Sequence, residues 1–240
     1  MESIVITENA AEESNVLYIQ TTLSELFSHA GCSTGYGVFE GRARLTVNCP
    51  EEFKEIVRAE ICDKAAEIAA VKYKYDFFKE KLFVSGLSAV ETEILFAGLI
   101  AADLIDDKRY AYRRYSEAGE IALDGTYNFR LAPLKKKWQD VADYMPKVFI
   151  NTQLKEFISY MLEDRKKRVY VSGGKVYDAH YRVLKRRALL GGEGAELTRE
   201  VLLSGGGEVE LSGEIKSEDE FYLKEYFGDK IYFSPKAGSR

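Results

Sequence analysis

Histidine is scarce in this chain: His29 and His180 are the only two among 240 residues, and they lie far apart. That shortage argues against a Cys–His zinc site and against a Cys–His nucleophilic pair, since each needs an imidazole beside a thiolate. Cysteine is nearly as rare. Cys32, Cys49 and Cys62 are odd in number, widely spaced and without a CxxC, which suits a reducing compartment rather than a disulfide framework. Four prolines leave little material for Pro-rich linkers. Long hydrophobic runs are missing too. The longest, Ile94 to Ala102, has nine residues with Gly98 inside it, whereas a spanning helix needs about 20. It reads as a buried core helix, and no membrane span is expected. Met1-Glu2-Ser3-Ile4 lacks the basic and apolar regions of a signal peptide. A cytoplasmic location is the resulting expectation.

The motifs of common chemistries are also missing. Gly191-Gly192-Glu193-Gly194 and Gly205-Gly206-Gly207 match neither a P-loop nor a dinucleotide fingerprint, because neither sits between a strand and a helix with the required residues. They read as flexible turns. Asp106-Asp107 precedes Lys108-Arg109 and reads as solvated charge, while Glu218-Asp219-Glu220 reads as a helix start. Neither pair points to general acid and base catalysis. No cofactor is implied, and the expectation is a protein that is not an enzyme.

What the chain does have is an ordinary globular composition, 46% apolar and 30% charged, enough to bury a sizeable core. The net charge of −5 hides an asymmetry. Arg130 to Leu190 carries fifteen Lys/Arg against six Asp/Glu, or +9, leaving −14 elsewhere. Three clusters stand out: Lys135-Lys136-Lys137, Arg165-Lys166-Lys167-Arg168 and Lys185-Arg186-Arg187. Clustered cations displace counterions from nucleic-acid backbones, and Trp138, Tyr170, Tyr177 and Tyr181 are aromatics suited to stacking on bases. The competing reading is solvated helix faces and strand edges guarded by charge, with Trp138 in the core. Tyr110, Tyr112 and Tyr115, interleaved with Arg109, Arg113 and Arg114, read equally as a partner surface or as packing at the edge of the core.

Periodicity outlines the elements. Ser3 to Glu8 predicts a strand with Ile4 and Ile6 on one face, and Asn9 an N-cap. Val16, Ile19, Leu23, Leu26 and Phe27 predict a helix, and Arg42 to Val47 alternates as a strand. Pro50-Glu51-Glu52 opens a helix with a stripe of Phe53, Val57, Ile61, Ala65 and Ile68. Ser88 with Glu91, and Ser217 with Glu220, offer capping boxes. Leu131, Leu134, Trp138, Val141 and Met145 predict one helix. Leu154, Phe157, Ile158, Met161 and Leu162 predict another, packed antiparallel on it through Pro146 to Thr152. Val169 to Tyr177 reads as a hairpin turning at Gly173-Gly174. Glu200–Leu203, Glu208–Leu211 and Lys230–Phe233 read as strands. Ser217 to Tyr226 is a helix stopped by Gly228, and Pro235 to Arg240 a frayed tail. The fold class is therefore mixed α+β: a small N-terminal β-α-β-β unit over residues 1–50, a helical middle over 51–165, and a C-terminal α/β portion with short strands over 166–240.

Tyr127-Asn128-Phe129-Arg130-Leu131, a following helix, Lys155-Glu156-Phe157-Ile158 and the ending Phe227-Gly228-Asp229-Lys230-Ile231 together resemble the YtxC-like sporulation proteins over residues 50–235. Pro133 and the dense basic clusters depart from that pattern. The resemblance transfers no catalytic or ligand residue. It implies a cytoplasmic, sporulation-associated protein of a spore-forming bacterium. Two functions compete: a non-enzymatic protein acting through a protein partner, and a nucleic-acid-binding protein using residues 130–190.

Overall fold

A computed structural model describes residues 2–234 of the chain, so the expected frayed tail lies outside the described residues. The fold is mixed α+β, with two four-stranded sheets. The chain divides into two units that do not follow the expected cuts at residues 50 and 165. One comprises Met1–Phe77 with Leu104–Val141, the other Phe78–Asp103 with Ala142–Arg240.

The first unit opens with strand β1 (Glu2–Asn9). Asn9 ends it and caps the turn that follows, its Oδ1 accepting the Ala11 N–H at 2.9 Å. Helices α1 (Glu13–Thr22) and α2 (Ser24–His29) lead to strands β2 (Ser33–Phe39) and β3 (Arg42–Cys49). Glu40 and Gly41 both have positive φ, 50° and 74°, the backbone that a tight two-residue hairpin requires. Helix α3 (Lys54–Ile68) then runs through a π-helical segment, Ala69–Tyr73, into α4 (Lys74–Lys81). The long helix α5 (Ala89–Ser116) follows, in the second unit as far as Asp103 and in the first from Leu104. Its start is the expected capping box: Ser88 Oγ accepts the Glu91 N–H, and Glu91 accepts the Ser88 N–H at 2.8 Å. Short strand β4 (Ile121–Ala122) and helices α6 (Leu123–Arg130) and α7 (Ala132–Tyr144) complete this part.

The first sheet has the order β2-β3-β1-β4, antiparallel except for β4 on β1. Its inner row pairs Ile4 with Val47, Ile6 with Leu45 and Glu8 with Ala43, all buried. Helix α1 covers that row with Val16 and Ile19.

The second unit holds α8 (Asn151–Leu162), the hairpin β5 (Arg168–Ser172) and β6 (Lys175–Tyr177), α9 (Glu196–Ser204), β7 (Glu208–Ser212), α10 (Ser217–Phe227) and β8 (Ile231–Phe233). The sheet order is β6-β5-β7-β8, with β5, β7 and β8 parallel. Val169, Val171, Val176, Val209 and Leu211 form its buried face, on which α9 packs.

Three expectations are corrected. Glu200–Leu203 is helical, within α9, and every residue from Leu197 to Leu203 is buried. A helix enclosed all round shows no apolar period, so Val201-Leu202-Leu203 imitates a core strand. Ser217 does not form a capping box: Lys216 occupies the N-cap with no side-chain bond, and Glu220 accepts from Lys224 instead. Asp107 is not solvated; it is 0% exposed.

Candidate functional site

The basic clusters are largely consumed within the fold. Lys135 donates to the Asn128 carbonyl at 3.2 Å and lies 4.9 Å over the Tyr127 ring. Lys137 donates to Asp107 at 2.9 Å. Arg165 is half-buried and donates to the carbonyls of Leu202 and Ala101 at 3.2 and 2.8 Å. Arg168 binds Glu208 through Nε and Nη2, at 3.0 and 2.9 Å, and lies 3.6 Å from Glu210. Arg186 reaches the Leu203 carbonyl at 2.8 Å, and Arg187 pairs with Glu196 at 3.4 Å. Lys136 is exposed with only a 3.9 Å approach to Asp140, and Lys166, Lys167 and Lys185 are exposed as well. The Lys135–Lys137 cluster belongs to the first unit and the other two to the second.

The glycine stretches are equally structural. A Cβ on Gly192 would meet the Glu93 carboxylate at 2.2–2.4 Å, so the loop accommodates a side chain of the protein itself. Arg199 donates to that carboxylate at 3.1 Å. A Cβ on Gly207 would lie 1.9 Å from the Arg165 carbonyl oxygen, where two backbones cross.

Within the first unit, buried Glu8, Lys74 and Asp107 gather around the π-helical segment, and such segments recur at functional sites. Tyr73 and Lys74, adjacent in sequence, reach different carboxylates. Tyr73 donates to Glu8, which also accepts from Asn15 Nδ2 at 3.1 Å and from the Asn9 N–H at 2.8 Å. Burial raises the Glu8 pKa despite those bonds. Lys74, 1% exposed, donates to Asp107 at 2.7 Å, and Trp138 Nε1 donates to the same oxygen at 2.8 Å. Burial works against ionising Asp107, but the charge and hydrogen bond of Lys74, with Lys137 and Trp138, outweigh it and hold the pKa low. With its donors in place, Asp107 is a structural anion. Glu8 is 1% exposed, out of reach of a ligand unless the fold opens. The fold also brings Cys32 beside Cys49, whose thiol is pushed up to about 11, first by burial and then by Cys32. Such a thiol is inert near neutral pH.

Two surfaces stand out among the described residues. The first is the edge of the first sheet. Strand β2 is Ser-Thr-Gly-Tyr-Gly-Val-Phe, with neither a charge nor a proline, and it is exposed along nearly all its length. Phe39 is 68% exposed. The second is the outer face of the second sheet, where strand alternation turns Tyr170, Ser172, Tyr177, Glu210 and Ser212 away from the buried valines. These residues line a concavity of 340 Å³ with Tyr181 and Ser234. Three of the four aromatics singled out in the sequence thus converge. Trp138 instead lies in the core. Tyr115 is likewise core, donating to the Leu123 carbonyl at 3.1 Å, so the Tyr–Arg segment is in part packing.

No family model, curated protein or solved structure matches the chain. Among the described residues, no helix is long and apolar enough to cross a membrane.

Proposed function

We propose that this protein works without catalysis, by docking an extended segment of a partner protein on the open edge of β2. The observation that carries the reading is the composition of that edge. Edge strands ordinarily carry charge, proline or a bulge that blocks pairing with another chain. Seven residues of β2 carry no charge and no proline, and an added strand gains main-chain hydrogen bonds there. The internal pairing of most basic side chains also favours a protein partner over a polyanion. The resemblance of Tyr127–Leu131, Lys155–Ile158 and Phe227–Ile231 to YtxC-like proteins supports a cytoplasmic setting in sporulation. Deleting the gene and complementing it tests the reading. The wild-type gene restores spore yield, whereas Val38→Lys, which puts a charge on the edge, does not, at equal protein level. Normal spore yield without the gene, or full rescue by Val38→Lys, contradicts it.

Nucleic-acid binding is a second reading, favoured by the convergence of Tyr170, Tyr177 and Tyr181. It predicts filter binding that weakens steeply with salt and is lost on reversing Lys166 and Lys167.

A further inference from the structure

We propose that the outer face of the second sheet is a binding pocket for an organic cation, a methylated ammonium or guanidinium head held between tyrosine rings and Glu210. The inference does not rest on the β2 edge. Its first support is register. Tyr170 pairs with Tyr177 on one side and with Glu210 on the other, so two rings and a carboxylate stand in one row across three strands. Ser172 and Ser212 form the next row, adding hydroxyls. At 340 Å³ the concavity suits one small head group.

The second support is Tyr181. Its φ of 59° is a left-handed conformation that a bulky residue rarely adopts. Asp178 imposes it: its carboxylate accepts the His180 and Arg182 N–H groups at 2.8 and 2.9 Å, and its carbonyl accepts the Tyr181 N–H at 3.0 Å. The turn seats the Tyr181 ring on Tyr170, with centroids 4.6 Å apart and planes at 22°. Strain of this kind is commonly kept where a ligand is clamped.

The third support is charge. Among the described residues, the lining contains one carboxylate and no cation. Arg168 approaches Glu210 but gives its two short bonds to Glu208, so one guanidinium faces two carboxylates. Tyrosine faces attract cations through their quadrupoles. A phosphate would meet Glu210 with no basic partner among the described lining residues.

The test uses the full chain with ring-labelled tyrosines followed by NMR. Choline is titrated against its neutral carbon isostere, 3,3-dimethylbutan-1-ol, and a trimethyl-lysine peptide distinguishes a protein side chain from a small molecule as the source. Choline or the peptide should shift the resonances of Tyr170, Tyr177 and Tyr181 saturably, with the isostere at least about tenfold weaker. Glu210→Gln should weaken binding by about tenfold, and Tyr181→Ala should abolish it. Both variants should fold, because Tyr181 is exposed and Arg168 keeps Glu208. Equal binding of the isostere, saturable binding of uridine monophosphate in place of the cations, or no saturable shift overturns the proposal.

Discussion

Glu8 and Glu210 are both strand carboxylates in four-stranded sheets, yet they have opposite fates. Glu8 follows Ile4 and Ile6 in the inner row of its sheet and is sealed beneath α1, with Tyr73 and Asn15 as donors. Glu210 alternates with Val209 and Leu211 and points outward, beside tyrosines. Parity along the strand decides which carboxylate becomes architecture and which becomes a surface feature. The first unit carries its polar chemistry inside and leaves an uncharged edge at β2. The second has an apolar inner sheet face and a polar, aromatic outer one.

The largest effect that would break this contrast lies at Asp107. Lys74→Met should cost about 3–5 kcal/mol in denaturant unfolding, because it strands a buried anion. Adding Asp107→Leu should recover most of that loss. Lys137→Met should cost under about 1 kcal/mol, since that side chain is 41% exposed and Lys74 remains. Equal losses for the two lysines would place the weight of the network elsewhere.

Acid and base titration sharpens the same contrast within the first unit. Burial lets Glu8 hold its proton to higher pH in the fold than in the unfolded chain. Its contribution is complete below the unfolded glutamate value of about 4.3 and is lost as pH rises through the folded value. Asp107 runs the other way. Its contribution is complete above about 3.9 and is lost as pH falls through its depressed folded value. Glu8→Gln should therefore gain on the wild type as pH rises above about 4, while the deficit of Asp107→Asn should shrink as pH falls below about 4. Unfolding midpoints across a pH series check both signs.

The smallest effect concerns the exposed lysines. Reversing Lys166 and Lys167 to glutamate should change stability by less than about 0.5 kcal/mol. It should leave choline binding intact, since neither lysine lines the tyrosine pocket. Loss of choline binding in that variant would tie the basic cluster to the pocket.

Much of the fold was legible because it rests on local signals. The Ser88–Glu91 capping box, the Gly173-Gly174 turn and the Ala43, Leu45, Val47 row all form as their spacing predicts. The buried carboxylates were less visible. Asp107 sits among Asp106, Lys108 and Arg109, which suggests solvent. Yet it continues a stripe of Ile100, Leu104, Ala111 and Tyr115, all buried. Extending that helical period, and the strand period of Ile4 and Ile6 to Glu8, was the available signal. The tyrosine pocket was half legible. Tyr170, Tyr177 and Tyr181 stand out in the sequence as aromatics near basic residues, but their carboxylate neighbour comes from a strand some thirty residues later. Arg168 looked like a free cation because Glu208 and Glu210 are brought to it only by parallel pairing. The neighbouring thiols Cys32 and Cys49 were hidden for the same reason, since register rather than sequence spacing unites them.

The proposed docking of a partner strand on β2 is open to a direct test. A photo-crosslinking amino acid at position 38, with one at the exposed position 60 on α3 as control, tests it most directly in sporulating cells. Docking there gives one discrete protein adduct from position 38, absent from position 60 and lost when Tyr36→Pro is added, since the register turns the Tyr36 N–H to the open edge. The same adducts from both positions, or an adduct that survives Tyr36→Pro, would contradict it.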